Sequence, residues 1–436
     1  MANSSVYTND NLKELYVEYT INAQPLALNS FLATVLNRGG KPKKIGGKNT
    51  VYGLTLGNGS SAGHHNSFDV THIGARSENY DQMKFTDSHL YARATIGSDK
   101  MELWNQSGMD GQFIDESLQK IDDINRALDH HINVLTCSAV ANQFTTVTAA
   151  ASAIAAAASG DIAVADAHLC RDQQVFQVIR SASALSGVLL AVDVRTNGVG
   201  AGTLTVTNTG TSSYTAAEND ILAPAYYGSQ NFLEPLTQHI GTAAYPTAGG
   251  NNDSIDHPYF RSYVVAASGS PKVTADQLAL LKRYTAQQAP TDGFNAPVEN
   301  GLISKQMVAS TAFMGRNDLM QQILSAMDDK VRWREYHREK DPGWGDQLLI
   351  DQTPFLPSDV FPPGYVALVH FPGWAAGFSK RHFITSGAAG VWAQRSGRVD
   401  YEAIMQCMGS ICVTMRAAQG LLTGVTGIGL SDVGLA

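Results

Sequence analysis

Apolar residues recur every three or four positions between Phe113 and Ser138, at Ile114, Leu118, Ile121, Ile124 or Asn125, Leu128, Ile132 and Leu135. That stripe predicts a long amphipathic helix over about 111–137. Asp110, Asp115 and Glu116 stand near its start, where negative charge complements the helix dipole. About 24 residues at about 1.5 Å each give a rod of roughly 36 Å. A rod that long in a chain of mixed class reads as a structural spine.

Elsewhere the period changes. Phe85, Tyr91 and Ile96, set between turn residues in 67–98, predict strands and a long β-hairpin. The Ala/Thr-rich stretch 145–165 reads as a second, weaker helix. From Ser183 to Tyr227 the alternation is two-residue, with Gly and Asn turns, and predicts short strands. Thr274 and Gln277 have the spacing of a capping box, ahead of Leu278, Leu281 and Tyr284, and predict a helix. Asn317 opens another, with Leu319, Met320, Ile323, Leu324 and Met327 on its buried side. Prolines 354, 357, 362, 363 and 372 cut 348–385 into strand-like pieces. The nearly uncharged run from Tyr401 reads as a central strand or buried helix. No internal repeat recurs at a fixed period.

Composition sharpens this picture. The 436 residues suit two to three domains, and 44% are hydrophobic. Charged residues make up only 16%, against about 25% in ordinary soluble domains. A disordered chain would be charge-rich and apolar-poor, so disorder is excluded. Neutral polar side chains in place of charge fit a surface covered by copies of the same chain, since interface cores are depleted in charge. They also fit a plain Gly/Ser/Thr-rich β protein. The net charge of −8 argues against a general electrostatic footprint on nucleic acid. Cys137, Cys170, Cys407 and Cys412 form no CxxC and read as reduced, intracellular, buried thiols. The N-terminus lacks the pattern of a signal peptide. The charge-free stretch 130–160 is too rich in Ala, Ser and Thr to span a membrane. From Tyr19 to Phe68 there is no acid, while Arg38, Lys41, Lys43, Lys44 and Lys48 lie among glycines. That segment reads as an extended arm or loop that leans on a partner.

Candidate chemistry is sparse. Gly59–Gly63 matches the nucleophile-elbow pattern around Ser61, with His64 and His65 adjacent, but the following residues are not helical, as an elbow requires. The run around Lys41–Lys48 fails phosphate-loop spacing, because Asn49 follows Lys48 where Ser or Thr is needed. Gly198–Gly202 lacks a following helix and reads as a turn. His130 and His131 are neighbours on a helix and point about 100° apart, so they cannot share a metal. Asp166 and His168 are too isolated to be ligands. The pairs Asp122/Asp123 and Asp328/Asp329 read as solvated. Arg332, Arg334, Arg338 and Lys340 are nearly balanced by Glu335, Glu339 and Asp341, which suits an ion-paired subunit contact better than nucleic acid.

The order of elements resembles that of tailed-bacteriophage major capsid proteins of the Hong Kong 97 type. The residues that carry the likeness are KFTDSHLYARATIG running into FIDESLQKIDDINRALDHHINVLTC, then VTADQLALLKRY, and VDYEAIMQCMGSICVTMRAAQGLLTG. The resemblance implies an α+β Hong Kong 97-type capsid fold. It would have an N-terminal arm (1–50), an extended β-hairpin or E-loop (51–105) and a P-domain (106–270) with the spine helix and the β-rich segment 185–235. An A-domain (271–390) and a C-terminal return segment (391–436) would follow. The implied function is structural, with no catalysis, cofactor or metal. Copies would assemble as hexamers and pentamers into an icosahedral shell around double-stranded DNA, without sequence-specific binding and without a membrane. Portal, scaffolding and decoration proteins are implied partners, and the virion, assembled in host cytoplasm, is the implied location. Inter-subunit contacts would fall on Arg38, Lys41, Lys43, Lys44, Lys48, Arg332, Arg334, Glu335 and Arg338. Spine packing would fall on Ile114, Leu118, Ile121, Leu128, Ile132 and Leu135. One departure is that no long charged scaffolding helix precedes Tyr19, which implies a separate scaffold or none. The alternatives are an encapsulin-like cellular compartment and, from another class, a serine hydrolase using Ser61.

Overall fold

The computed structural model describes residues 31, 35, 49–57, 79–86, 88–96, 110–139, 143–171, 174–181, 183–195, 201–225, 234–241, 261–269, 272–288, 311–328, 349–351, 353–358, 360–378, 381–385, 392–394 and 400–426. In chain order the strands and helices begin with β1 (Asn49–Gly57), β2 (Asn79–Thr86), β3 (Ser88–Ile96) and α1 (Asp110–Cys137). Next come β4 (Thr145–Thr146), β5 (Ser159–Val164), β6 (Val175–Arg180), β7 (Ser183–Arg195), β8 (Gly202–Asn208) and β9 (Ile221–Pro224). They continue with α2 (Leu236–His239), β10 (Tyr263–Ala266), α3 (Ala275–Gln288), β11 (Thr311–Gly315) and α4 (Asn317–Asp328). The last are β12 (Leu349–Ile350), β13 (Thr353–Pro357), β14 (Tyr365–His370), β15 (Trp374–Phe378), β16 (His382–Phe383), β17 (Ala393–Gln394), β18 (Tyr401–Val413) and β19 (Gly420–Thr423). The chain divides into two compact units. One holds 1–33, 88–236 and 378–409, and the other holds 34–87, 237–377 and 410–436.

In the first unit, α1 packs against β3. Its 28 residues make a rod of about 42 Å. Ile121, Ile124, Leu128, Ile132 and Leu135 are all buried. Ile114 and Leu118 lie in the helix, and their side chains are outside the described set. β3 pairs antiparallel with β18 from Tyr401↔Ile96 to Gly409↔Ser88, joining parts of the chain some 300 residues apart. Alternation sends Leu90 and Ile96, with Ala403, Met405 and Cys407, into the interior, and leaves Tyr91 half exposed. The facing pair Ala94 and Ala403 adds almost no bulk to this layer. β16 and β17 pair with β18. Within β18, Gly409 is required by a close approach, because a Cβ there would lie 2.2 Å from the Phe378 ring.

The remainder of this unit is a six-stranded antiparallel sheet in the order β4-β9-β6-β7-β8-β5. Two findings correct the sequence reading. The 145–165 stretch is not a helix. It forms β4, an extended turn and β5, because each short segment is held by cross-strand bonds that override alanine's helical preference. The hairpin is also displaced. Its first strand is β1, inside the acid-free stretch read as arm or loop, and it pairs with β2 from Asn49↔Thr86 to Gly57↔Asn79.

The second unit, which also contains the β1–β2 pair, is built on a mixed sheet in the order β10-β19-β14-β11-β13-β12. β10–β19 and β11–β13 are parallel and the other pairs antiparallel, with partners mostly far apart in sequence, as in Phe313↔Phe355, Phe313↔Leu368 and Val366↔Leu422. Those residues share one face and pack with Leu278 and Leu281 of α3 and Leu319 and Ile323 of α4. The α3 capping box forms as spaced. Thr274 N donates to Gln277 Oε1 at 3.0 Å, and Gln277 N donates to Thr274 Oγ1 at 3.3 Å.

Candidate functional site

The residues that tie elements together in each unit are polar, at least partly buried, and mostly distant in sequence. In the first unit the central tie is Arg381, just ahead of β16. Its guanidinium donates to Asn125 Oδ1 at 2.7 Å, to Asn125 O at 3.2 Å and to the Asp129 carboxylate, on one turn of α1. Asp129 is buried, and the Arg381 side chain is only 7% exposed. Burial pushes the Asp129 carboxyl up to about 6, and the Arg381 charge offsets only part of that. β16 is bonded to β18, so Arg381 couples the sheet to the helix that covers it.

A second tie holds the β-rich region. Arg180 binds Asp220 through two nitrogens at 2.7 and 2.6 Å, and donates to Thr215 O at 2.8 Å. Asp220 also accepts from Tyr214 Oη at 3.1 Å and Ala217 N at 3.0 Å. Burial alone would raise this carboxyl, but the hydrogen bonds outweigh it and hold Asp220 below the usual range. The fork geometry of arginine makes such a bidentate pair specific as well as strong.

The end of α1 carries His130 and His131. Nε2 of His130 lies 2.7 Å from Leu169 O, and Nε2 of His131 lies 3.2 Å from Gln174 Nε2. Both rings meet Phe144 edge-on. Burial holds His131 neutral, down at about 3. The pair serves packing, with the two rings on separate polar partners.

On the solvent side of β3 and β18, Arg93 pairs with Glu402 at 2.7 Å. His89 stacks on Tyr91 with centroids 6.4 Å apart, and Gln406 Nε2 reaches His89 Nδ1 at 2.7 Å and Tyr91 Oη at 3.3 Å. Ile384 is 49% exposed beyond this patch.

In the second unit Gln419 uses its whole amide. Oε1 accepts from His370 N at 2.9 Å and Trp374 Nε1 at 3.0 Å, while Nε2 donates to His370 O at 3.1 Å and Met415 O at 3.2 Å. Arg416, fully buried, donates to the carbonyls of His239 and Gly241 at 3.0 and 2.9 Å. These are carbonyls at the end of α2, where positive charge is favourable. His370, beside Thr311 Oγ1 at 3.1 Å, is lowered by burial to about 4.

The predicted contact residues Arg38, Lys41, Lys43, Lys44, Lys48, Arg332, Arg334, Glu335 and Arg338 lie outside the described residues, as do Ser61, His64 and His65. Among the described residues, no three His, Cys, Asp or Glu side chains gather closely enough to hold a metal. No described helix is long and apolar enough to cross a membrane. All four cysteines are buried thiols, and none is in a disulfide. Sequence reasoning missed Arg381, Asp129, Arg180 and Asp220. The one available signal was Asp129 beside Leu128 in the apolar-striped helix, and it does not identify a partner.

No protein-family model matches the chain, and no curated protein sequence matches it. Among solved structures the chain is similar to the capsid asymmetric unit of Cyanophage A-1(L), with 11% identity over 93% of this chain and 94% of that chain and a TM-score of 0.49. It is similar to the capsid of a native GTA particle, with 9% identity over 92% of both chains and a TM-score of 0.43. It is also similar to the holo-SrpI encapsulin complex from Synechococcus elongatus PCC 7942, with 9% identity over 93% of this chain and 90% of that chain and a TM-score of 0.38. Its structural neighbours are thus phage capsid, GTA capsid and encapsulin shell chains.

Proposed function

We propose that the chain is a shell subunit, the major capsid protein of an icosahedral phage head with a Hong Kong 97-type fold. One observation carries the reading: the β1–β2 hairpin leads directly into β3, which pairs with β18 to form the sheet under a 28-residue helix. A strand from the start of the chain and one near its end thus build a rigid support for a long rod. That order supports the reading. The hairpin at 49–86 then takes the part of the E-loop, and α1 that of the spine in a P-domain over 106–270. The α3- and α4-bearing sheet serves as the A-domain, 271–390, with 391–436 as the return segment.

In this reading the subunits associate as hexamers and pentamers. Each contact can be modest, because closure of the shell multiplies them. The low charge content suits faces buried against twins, and the net negative charge keeps the inner wall from adhering to enclosed DNA. The basic segment Arg38–Lys48 and the ion-rich segment Arg332–Arg338 supply polar register between subunits. Scaffolding, portal and decoration proteins are the expected partners, the virion is the location, and assembly takes place in host cytoplasm. No catalysis is assigned. Deleting residues 1–40 is expected to leave soluble protein that forms no shells by negative-stain microscopy. Normal particles from that deletion would contradict the grip assigned to the arm.

A further inference from the structure

The β4–β9 sheet has no free edge. β4 pairs with β9 through Thr145↔Leu222 and Thr146↔Ile221. The same segment then turns its other side to β5. Ala165 N donates to Thr146 O at 2.9 Å, Thr148 N donates to Ala163 O at 2.9 Å, and Val147 and Val164 form a bridge. The order β4-β9-β6-β7-β8-β5 therefore returns to β4, and each of the six strands is paired on both sides. The result is a closed antiparallel barrel. Its interior is contiguous in sequence, with Phe144, Ile162, Phe176, Leu190, Leu204 and Leu222 all buried. Ile154 and Tyr214 cover the core, bonded to each other through both backbone nitrogens at 2.7 and 2.9 Å.

Three further features set the barrel apart. Where the chain enters and where it leaves are antiparallel neighbours, since Phe144 N donates to Leu222 O at 3.0 Å. A module whose ends touch can be inserted in a host chain without disturbing it. The outer side of β5, β8 and β7 is polar and satisfies itself. Thr205 donates to Asp161 at 2.7 Å, Thr207 donates to Asp193 at 2.5 Å, and Ser159 lies 2.7 Å from Thr207. A closed barrel with such a wall offers no strand edge for pairing with another subunit. Among the described residues, His130 and His131 of α1 meet the barrel region at Phe144, Leu169 and Gln174.

We infer that residues 144–225 are an inserted barrel that folds as its own cooperative unit and that the shell-forming remainder of the chain does not need it. About 80 residues exceed the size at which small domains fold alone. The second half of the inference rests on the shell reading above, while the first does not.

The test is hydrogen exchange by mass spectrometry on the full-length chain, in wild type and in Leu204→Asp, together with negative-stain imaging. The substitution puts an unpaired charge in the barrel core. The expected result is at least tenfold faster exchange confined to peptides from 144–225. Peptides from 353–370 and 401–413 keep wild-type protection, and particles still form. A full-length variant with 145–224 replaced by a short Gly-Ser link is likewise expected to form particles. Loss of protection spreading to 401–413, or barrel strands exchanging in separate groups, would overturn the folding claim. Particles from wild type but from neither variant would overturn the claim of dispensability. A wild type that forms no particles defeats the shell reading, and the exchange pattern still decides the folding claim.

Discussion

Arg381 reaches Asp129 across 252 positions of sequence and holds it inside the packing between a sheet and the helix that crosses it. The neighbouring contact to Asn125 uses the same guanidinium, so one side chain fixes a full turn of α1. Removing it leaves a buried carboxyl and a buried amide without their partner. Arg381→Ala is expected to cost about 3–5 kcal/mol in urea unfolding. Pairing Arg381→Met with Asp129→Leu should recover most of that loss, because no buried charge is then left alone. An unchanged midpoint for Arg381→Ala would mean that the tie contributes nothing.

Gly409 and Phe378 make a steric prediction. Gly409→Ala drives a Cβ into the Phe378 ring and should lower stability by about 1–3 kcal/mol, the usual cost of overpacking. The double variant with Phe378→Ala removes the clash. In a double-mutant cycle the two changes should couple by at least about 1 kcal/mol. Additive effects would show that ring and strand do not meet.

Acid should weaken the fold, for a reason with two opposing parts. His131 and His370 are held neutral by burial, down at about 3 and 4. Their contribution is complete above about 6.5 and declines as pH falls through that value, because the unfolded chain takes up protons that the folded chain refuses. Asp129 works the other way. Raised to about 6, it adds stability that is complete below 3.8 and is lost as pH rises toward 6. Between pH 4 and 6 the two histidines outweigh the one carboxyl. The urea midpoint is expected to drop from pH 7 to 4, less steeply in His131→Gln or His370→Gln and more steeply in Asp129→Asn. A wild-type profile that rises on acidification would reverse this assignment.

Local signals made several elements legible. The three-and-four spacing of Ile121, Ile124, Leu128, Ile132 and Leu135 belongs to one face of one helix, and Thr274 and Gln277 bond within a single turn. Pro357 ends β13, Pro362 and Pro363 fall between β13 and β14, and Pro372 falls between β14 and β15, whereas Pro354 lies inside β13 and cuts nothing. What escaped is non-local. The alanine-rich run 150–158 looks helical by itself, and the pairing of Thr146–Thr148 with Ala163–Ala165 and of Ile154 with Tyr214 makes that region part of a barrel. β1 alternates Tyr52, Leu54 and Leu56 with small or polar residues, but its partner β2 begins more than 20 residues further on. The partners of Asp129 and Asp220 lie 252 and 40 residues away, and no spacing rule connects them.

A shell subunit works by joining copies of itself. Light scattering on purified protein after size-exclusion chromatography measures this directly. The expected result is a megadalton species that appears as closed particles in the microscope. A stable 46.6 kDa monomer at high concentration would contradict it.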